Sequence, residues 1–236
     1  MQLFYNPALN VGDNLFSFDK VESKHIVKVL RKKEGDELFI TNGRGDLFTA
    51  QILIADISEC KATIISTQKR HPAMFRLHLA VAPTKSAERF EWFLEKVTEI
   101  GVHEITPIIC QRSERKTLKM ERMQKVILAA MKQSLRTYLP KINEPVSFTK
   151  FIDQGHKELL FIGHCQDEEK FNLKRRITAD KDVTILIGPE GDFTKKEIRE
   201  AYEKGFLPIT LGEARLRTET AAIVACTAVA LINSGS

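Results

Sequence analysis

The chain has 236 residues, of which 43% are hydrophobic and 28% charged, and its formal net charge is +5. Such a composition describes an ordinary globular chain, long enough for one large domain or a small one plus a medium one, each with a real core. No apolar run approaches the roughly 18–20 residues that span a bilayer, and MQLFYNPALN lacks a basic stretch followed by an apolar one. A membrane span and a secretory signal are therefore not expected, and a cytoplasmic location is.

Residues 1–70 alternate over short distances and lack long helical periods, which reads as a small β-barrel. Leu38 to Thr41 and Leu47 to Ile54 flank Asn42, Gly43, Arg44 and Gly45, a hairpin signal built from residues that tolerate positive φ. Ahead of it, Ser23 is expected to cap a short helix that presents Lys24, His25, Lys28 and Arg31 near one another. KRHPAMF, residues 69–75, mixes charge with a proline and has no periodicity, so the domain boundary falls there and a second domain covers 74–236.

The second domain opens on a strand around Leu77, Leu79 and Val81. The next helix carries Phe90, Phe93, Leu94, Val97 and Ile100 on one stripe, closed by Gly101, with Trp92 off it. EITPIIC is a strand, QRSERK a loop, and a helix carrying Met123, Val126, Ile127, Ala130 and Met131 is expected to run until Pro140. Between Arg112 and Lys141 nine basic residues stand against two acidic ones, a net +7, which leaves the rest of the chain net acidic. Such concentration favours a polyanionic partner whose affinity falls with salt. Another strand, Leu159 to Gly163, follows, and strands separated by helices imply a mainly parallel sheet with helices on both sides. Cys60, Cys110, Cys165 and Cys226 lie 50 or more residues apart, so no metal spacing or local disulfide framework is present, and buried thiols are expected.

Near the C-terminus two glycine-containing segments each follow an apolar run and lead into a helix. Thr184 to Ile187 has the β-branched character of a buried parallel strand, and Gly188, Pro189 and Gly191 then force a turn. Thr194 caps the next helix, with Glu197 closing a capping box and Gly205 ending it. Ile209 to Leu211 repeats the strand and Gly212 the turn, and Thr218 is placed to cap a last helix reaching about Ile232. Two strand ends with glycine loops would meet there, where α/β sheets bind ligands.

GPEGDF followed about twenty residues later by LGEARLRTETA resembles the paired C-terminal motifs of the SPOUT methyltransferases, specifically the RsmE family, which methylates N3 of a uridine in 16S ribosomal RNA. TKSAERFEWFLEKVTEIGVHEITPIICQRS is similar to the central motif of that family, and KQSLRTYLPKI to its Gln-Ser-x-Arg-x-x-x-Pro element. The N-terminal helix and hairpin resemble its PUA-like domain, so about three quarters of the chain has a counterpart. Asp192 departs from the pattern, standing where glycine is more usual.

The resemblance implies an α/β SPOUT domain with a mainly parallel sheet and a C-terminal trefoil knot over 74–236, preceded by a PUA-like RNA-binding β-barrel over 1–70. It implies S-adenosylmethionine as cofactor, held largely by backbone groups around Ile187, Gly188, Pro189, Glu190, Gly191, Leu211, Gly212, Leu216 and Thr220. Methylation at uracil N3 needs the imide proton removed and the charge that develops on the carbonyl oxygens stabilised. Arg217 is the candidate donor, against the alternative that it braces the fold through Glu190 or Glu219. Those two acids are the candidate proton acceptors. The base must be unpaired or extruded, since N3 lies on the Watson–Crick edge. Lys24, His25, Lys28 and Arg31, together with Arg112, Arg115, Lys116 and Arg136, are the candidate RNA contacts, the partner being 16S rRNA or the small ribosomal subunit.

The last helix offers a wide apolar surface of Ala221, Ala222, Val224, Ala225, Ala228, Val229 and Ile232, and SPOUT enzymes generally pair through this region, so a homodimer is expected. Neither GxGxxG after an early strand nor GxxxxGK[ST] is present, which argues against a Rossmann-type methyltransferase and a nucleoside triphosphatase. Two other readings stay open: a SPOUT enzyme acting on a different RNA atom such as a ribose 2′-hydroxyl, and a non-catalytic RNA-binding assembly factor.

Overall fold

Two sheets organise the described residues, 1–156 and 158–234, of the computed structural model. The chain divides into two compact units, Met1–Pro72 with Met131–Leu139, and Ala73–Ala130 with the chain from Pro140 onward.

In the first unit β1 (Leu3–Tyr5), β2 (Leu15–Ser17), β3 (Glu37–Thr41), β4 (Asp46–Ile54) and β5 (Lys61–Lys69) form one sheet in the order β1-β3-β4-β5-β2. It curls into a half-barrel rather than closing, since β1 and β2 stay at opposite edges. Phe4, Leu38, Ile40, Phe48 and Ile52 fill its concave side, the alternate residues of the strands. Gly43 and Gly45 carry the hairpin at φ 76° and 96°, and Gly45 has a second constraint because any Cβ there would strike the Tyr138 hydroxyl. Tyr138 lies in a segment expected to be helical, and it is not. The helix α3 (Met120–Gln133) stops well short of Pro140, because the chain beyond it is held extended: Gly45 N–H donates to Thr137 O at 2.9 Å and Leu139 N–H to Gly43 O at 3.0 Å. Ser23 does not cap a helix either. Helix α1 (Lys20–Lys24) is capped by Asp19, which accepts from Glu22 N–H at 2.8 Å, and His25–Val29 continues it as a π-helical turn. The Ser23 hydroxyl is buried instead, donating to Phe18 O and accepting from Cys60 N–H at 2.8 Å.

The second unit holds β6 (Leu77–Val81), β7 (Glu104–Ile109), β8 (Lys141–Ile142), β9 (Val146–Ser147), β10 (Leu159–Gly163), β11 (Phe171–Asn172), β12 (Val183–Ile187) and β13 (Leu207–Thr210). Their order is β11-β13-β10-β12-β6-β7-β8, with β9 beside β7, and the pairs among them are parallel. The central strand β12 is buried along its whole length, which is why it reads as a continuous apolar run. Helices α4 (Phe148–Ile152) and α5 (Lys195–Glu203) cover one face through Phe148, Phe151, Ile198 and Ala201, packed on Ala80, Ile108, Ile162 and Leu186. On the other, α6 (Thr218–Asn233) packs against β6, β12 and α2 (Ala87–Ile100). The chain therefore leaves β12, runs out to β13 on the far side of β10, and returns to β12 in α6.

Thr194 and Glu197 form the expected capping box at the start of α5, and Gly205 follows its end at φ 89°. Thr218 does not cap α6. Arg217 occupies the cap position with no side-chain bond, and the Thr218 hydroxyl donates to Gly188 O at 2.9 Å, which ties the last helix to the first glycine turn. Within α6, Ala222, Ala225, Ala228 and Val229 face the interior of the chain, whereas Ala221, Val224 and Ile232 are half-buried and Leu231 is exposed. Ala225 is thus a core residue, not an outward one. Cys60, Cys110 and Cys226 are buried, but Cys165 is exposed, contrary to expectation.

A polar ring sits inside this unit. His78 Nε2 lies 2.7 Å from Thr106 Oγ1, which accepts from Asn143 Nδ2 at 2.7 Å. Burial pushes the His78 imidazole from 6.5 down to about 4, against the pull of Glu104. Between those values the unfolded chain binds the extra proton, so stability drops as the pH falls through that window. From pH 7 to pH 5 the wild type is expected to lose about 1–2 kcal/mol more than His78→Asn. Urea unfolding of both proteins at the two pH values measures this, and equal losses would contradict it.

Candidate active site

The C-terminal ends of the adjacent strands β13, β10 and β12 open into a cavity of about 620 Å³. Each strand contributes the turn that follows it. Gly163, His164 and Cys165 leave β10, Ile187 to Glu190 leave β12, and Thr210 to Leu216 leave β13. Arg217, Thr218 and Ala221, from the start of α6, complete the wall. Such a crevice outside the carboxyl ends of parallel strands is where open α/β sheets take ligands, and its volume falls in the range of ligand sites.

Ile187, Ile209, Leu211 and Leu216 supply apolar surface, while the turns at Gly188 and Gly212 present backbone. Gly212 has φ 147° and, apart from its chain neighbours, no described residue within 4 Å of where a Cβ would be, so its missing side chain leaves open space. A Cβ on Gly188 would come within 2.9 Å of the Phe193 ring, which explains glycine there by packing instead.

Seven of the nine residues expected at the cofactor lie on this wall: Ile187, Gly188, Pro189, Glu190, Leu211, Gly212 and Leu216. Gly191 and Thr220 do not. Gly191 is turned to the loop after β7, its would-be Cβ 3.2 Å from Arg112 Cβ, and Thr220 sits half-buried in the first turn of α6. Arg217 is exposed on the wall, and its guanidinium makes no ion pair with Glu190, Glu219 or any other described residue. Glu190 is also on the wall and exposed. One of its oxygens accepts the Lys85 N–H at 2.9 Å. Glu219 is placed differently: it is 5% exposed, off the cavity wall, with Oε1 3.9 Å from Arg89 Nε and Oε2 without a hydrogen bond to any described residue.

The wall also carries residues outside the expected set, His164 and Cys165 at the β10 exit and Asp192 after β12. His164 is buried against Tyr202, whose hydroxyl lies 2.9 Å from its Nε2 and donates to Glu168; burial lowers the imidazole pKa despite the Glu168 carboxylate. Asp192 adopts φ 61°, the left-handed conformation that suits glycine. It tolerates this because its own carboxylate accepts the Phe193 N–H at 2.8 Å, while the other oxygen accepts Cys165 N–H at 3.0 Å and so links the β12 turn to the β10 exit. The only sequence signal for this was the departure from glycine itself.

Among the candidate RNA contacts, Lys24, Lys28 and Arg31 are exposed and His25 is half-buried in the first unit, to which Arg136 also belongs. In the second unit Arg112 and Lys116 are exposed, but Arg115 is half-buried with its guanidinium on the carbonyls of Thr84 and Lys85.

The family model for the RNA methyltransferase domain matches residues 71–230, and that for the RNA methyltransferase PUA domain matches 18–65. The chain is 32% identical to ribosomal RNA small subunit methyltransferase E of Buchnera aphidicola subsp. Acyrthosiphon pisum over 241 aligned positions, covering 94% of this chain and 92% of that protein. An rRNA methyltransferase structure from Porphyromonas gingivalis superposes with a TM-score of 0.92 at 38% identity, over 99% of both chains. A methyltransferase from Legionella pneumophila, solved with the cofactor SAM bound, does so with a TM-score of 0.87 at 31% identity over 98% of this chain and 97% of that one. With both family models matched, the larger over more than half of the chain, and this likeness along nearly its full length, the chain belongs to the RsmE family of RNA methyltransferases, in the SPOUT superfamily.

Proposed function

We propose that the protein transfers a methyl group from S-adenosylmethionine to N3 of a specific uridine in 16S ribosomal RNA, within the cytoplasm. The observation that supports this most is the presence of an unpaired cation, Arg217, and an exposed carboxylate, Glu190, on the wall of one cavity built by two glycine turns. The cavity fits the cofactor, with a suitable volume, apolar residues at 187, 209, 211 and 216, and a glycine turn whose missing side chain leaves room. When bound there, S-adenosylmethionine supplies an electrophilic methyl group.

The chain's own residues do the rest. The free oxygen of Glu190 takes the imide proton of the extruded uracil, and the Lys85 N–H keeps its other oxygen in place. Arg217 donates to a uracil carbonyl oxygen and stabilises the negative charge left on the ring. Glu219, off the wall and buried, is the weaker candidate for the proton. Lys24, His25, Lys28 and Arg31 in the first unit, and Lys116 in the second, offer phosphate contacts, with Arg112, Arg115 and Arg136 adding positive potential. Nucleoside mass spectrometry of ribosomal RNA from cells with and without the protein tests the reading. Loss of 3-methyluridine supports it, and loss of a ribose-methylated nucleoside would replace it with the 2′-hydroxyl alternative. Retained RNA binding with no affinity for the cofactor would instead favour an assembly factor.

The same reading includes a homodimer. Its support is the outer side of α6, where Leu231 is 63% exposed, and the helix packed beside it, α2, whose Trp92 is 47% exposed. Leu231→Arg adds a charge at an exposed position, leaves the core side of the helix intact, and is expected to give a monomer with little methyl transfer. Sedimentation and activity are measured together, and an active monomer would refute the dimer.

A further inference from the structure

The loop between β7 and α3 carries four basic residues, Arg112, Arg115, Lys116 and Lys119, yet both of its arginines bind protein. Arg112 Nη1 donates to Gly191 O at 2.9 Å. Arg115 clasps the backbone of the segment after β6, with Nη2 2.7 Å and Nε 3.2 Å from Lys85 O, and Nε 3.1 Å from Thr84 O. Lys85 passes this restraint on, because its N–H donates to Glu190 Oε1 at 2.9 Å and its ammonium pairs with Glu114 at 2.9 Å. The loop is itself anchored. Gln111 N–H donates to buried Glu197 at 2.7 Å, and Cys110 N–H to Ser113 Oγ at 2.9 Å.

We infer that Arg112 and Arg115 are positioning residues for methyl transfer: from outside the cavity they hold the turn after β12 whose Glu190 lies on its wall, Arg112 through Gly191 and Arg115 through Lys85. This rests on the reading of that cavity as the cofactor site. An exposed glutamate on a glycine-flanked turn has many conformers to lose, so a fixed carboxylate needs fixed donors. The Lys85 N–H is such a donor only while its own backbone is held. A guanidinium does this because its planar fork reaches two carbonyls at once, which a lysine ammonium on a flexible stem does not reproduce. Lys116 contrasts with both in making no hydrogen bond or ion pair with the described residues.

Arg112→Ala, Arg115→Ala, Arg115→Lys and Lys116→Ala in the full chain separate the roles. Calorimetry with S-adenosylmethionine alone, without RNA, is expected to show about tenfold weaker binding for both alanine variants. Their kcat at saturating RNA falls by a larger factor than their KM for RNA rises. Arg115→Lys, which keeps charge and fold, is expected not to restore cofactor affinity. Lys116→Ala raises KM for RNA and binds the cofactor like the wild type. Wild-type cofactor affinity and kcat in the two alanine variants, with only RNA affinity lost, would overturn the inference, as would full rescue by Arg115→Lys. No cofactor binding by the wild-type protein would instead remove the underlying reading of the cavity. Full activity of Glu190→Gln would remove only its role as proton acceptor, leaving the inference to stand on cofactor affinity.

Discussion

Gly212→Val is expected to raise the dissociation constant for S-adenosylmethionine by about a hundredfold or more, equivalent to ~2.7 kcal/mol, while the protein stays folded. Two features make this position the cleanest test of the cavity. With φ at 147°, a β-branched side chain there is strained and the turn after β13 must shift. Apart from its chain neighbours, no described residue lies within 4 Å of the new Cβ, so the added volume meets the ligand's space and not the core. Substitution at Gly188 lacks that clarity, because the Phe193 ring is 2.9 Å from the would-be Cβ and the fold would suffer first. Calorimetry with the cofactor, beside a thermal melt, decides the matter. Unchanged affinity would move the cofactor out of this cavity.

Arg217→Ala is expected to lower kcat by about 10²–10³, ~2.7–4 kcal/mol, the usual effect of removing one donor aimed at developing negative charge. Cofactor affinity should stay near that of the wild type, since Arg217 is exposed at the N-cap of α6 and the apolar and glycine surfaces of the cavity remain. The alternative of Arg217 as a structural brace predicts a different pattern. A brace would need a partner, but Glu190 is engaged by the Lys85 N–H and the cation nearest to Glu219 is Arg89. Single-turnover methyl transfer at saturating cofactor and RNA measures the chemical step. A variant with unchanged kcat and a lower melting temperature would return Arg217 to the bracing role.

Local patterns carried much of the fold. The continuous apolar run of β12, the stripe of α2 and the Thr194–Glu197 box were legible because each depends on neighbours in sequence. So were the two glycine turns, since backbone conformation and the absence of a Cβ are properties of the residue itself. The family resemblance was legible for the same reason, its motifs being contiguous.

What the tertiary structure decided was which partner each polar group met. Ser23 and Thr218 are both plausible caps by spacing, but one hydroxyl is taken by Phe18 and Cys60 and the other by Gly188, groups far away in the chain. The helix expected to reach Pro140 ends at Gln133 because Gly43 and Gly45 offer its continuation hydrogen bonds that only an extended chain can make. In the same way a basic run specifies charge and not direction. Whether Arg112 and Arg115 face solvent or the carbonyls of Gly191, Thr84 and Lys85 depends on loops about 30 to 80 residues distant in sequence. The composition determined that such cations exist, and the fold determined that two of them are spent on its own backbone, because a carbonyl brought within 3 Å of a guanidinium is a partner that no local pattern encodes.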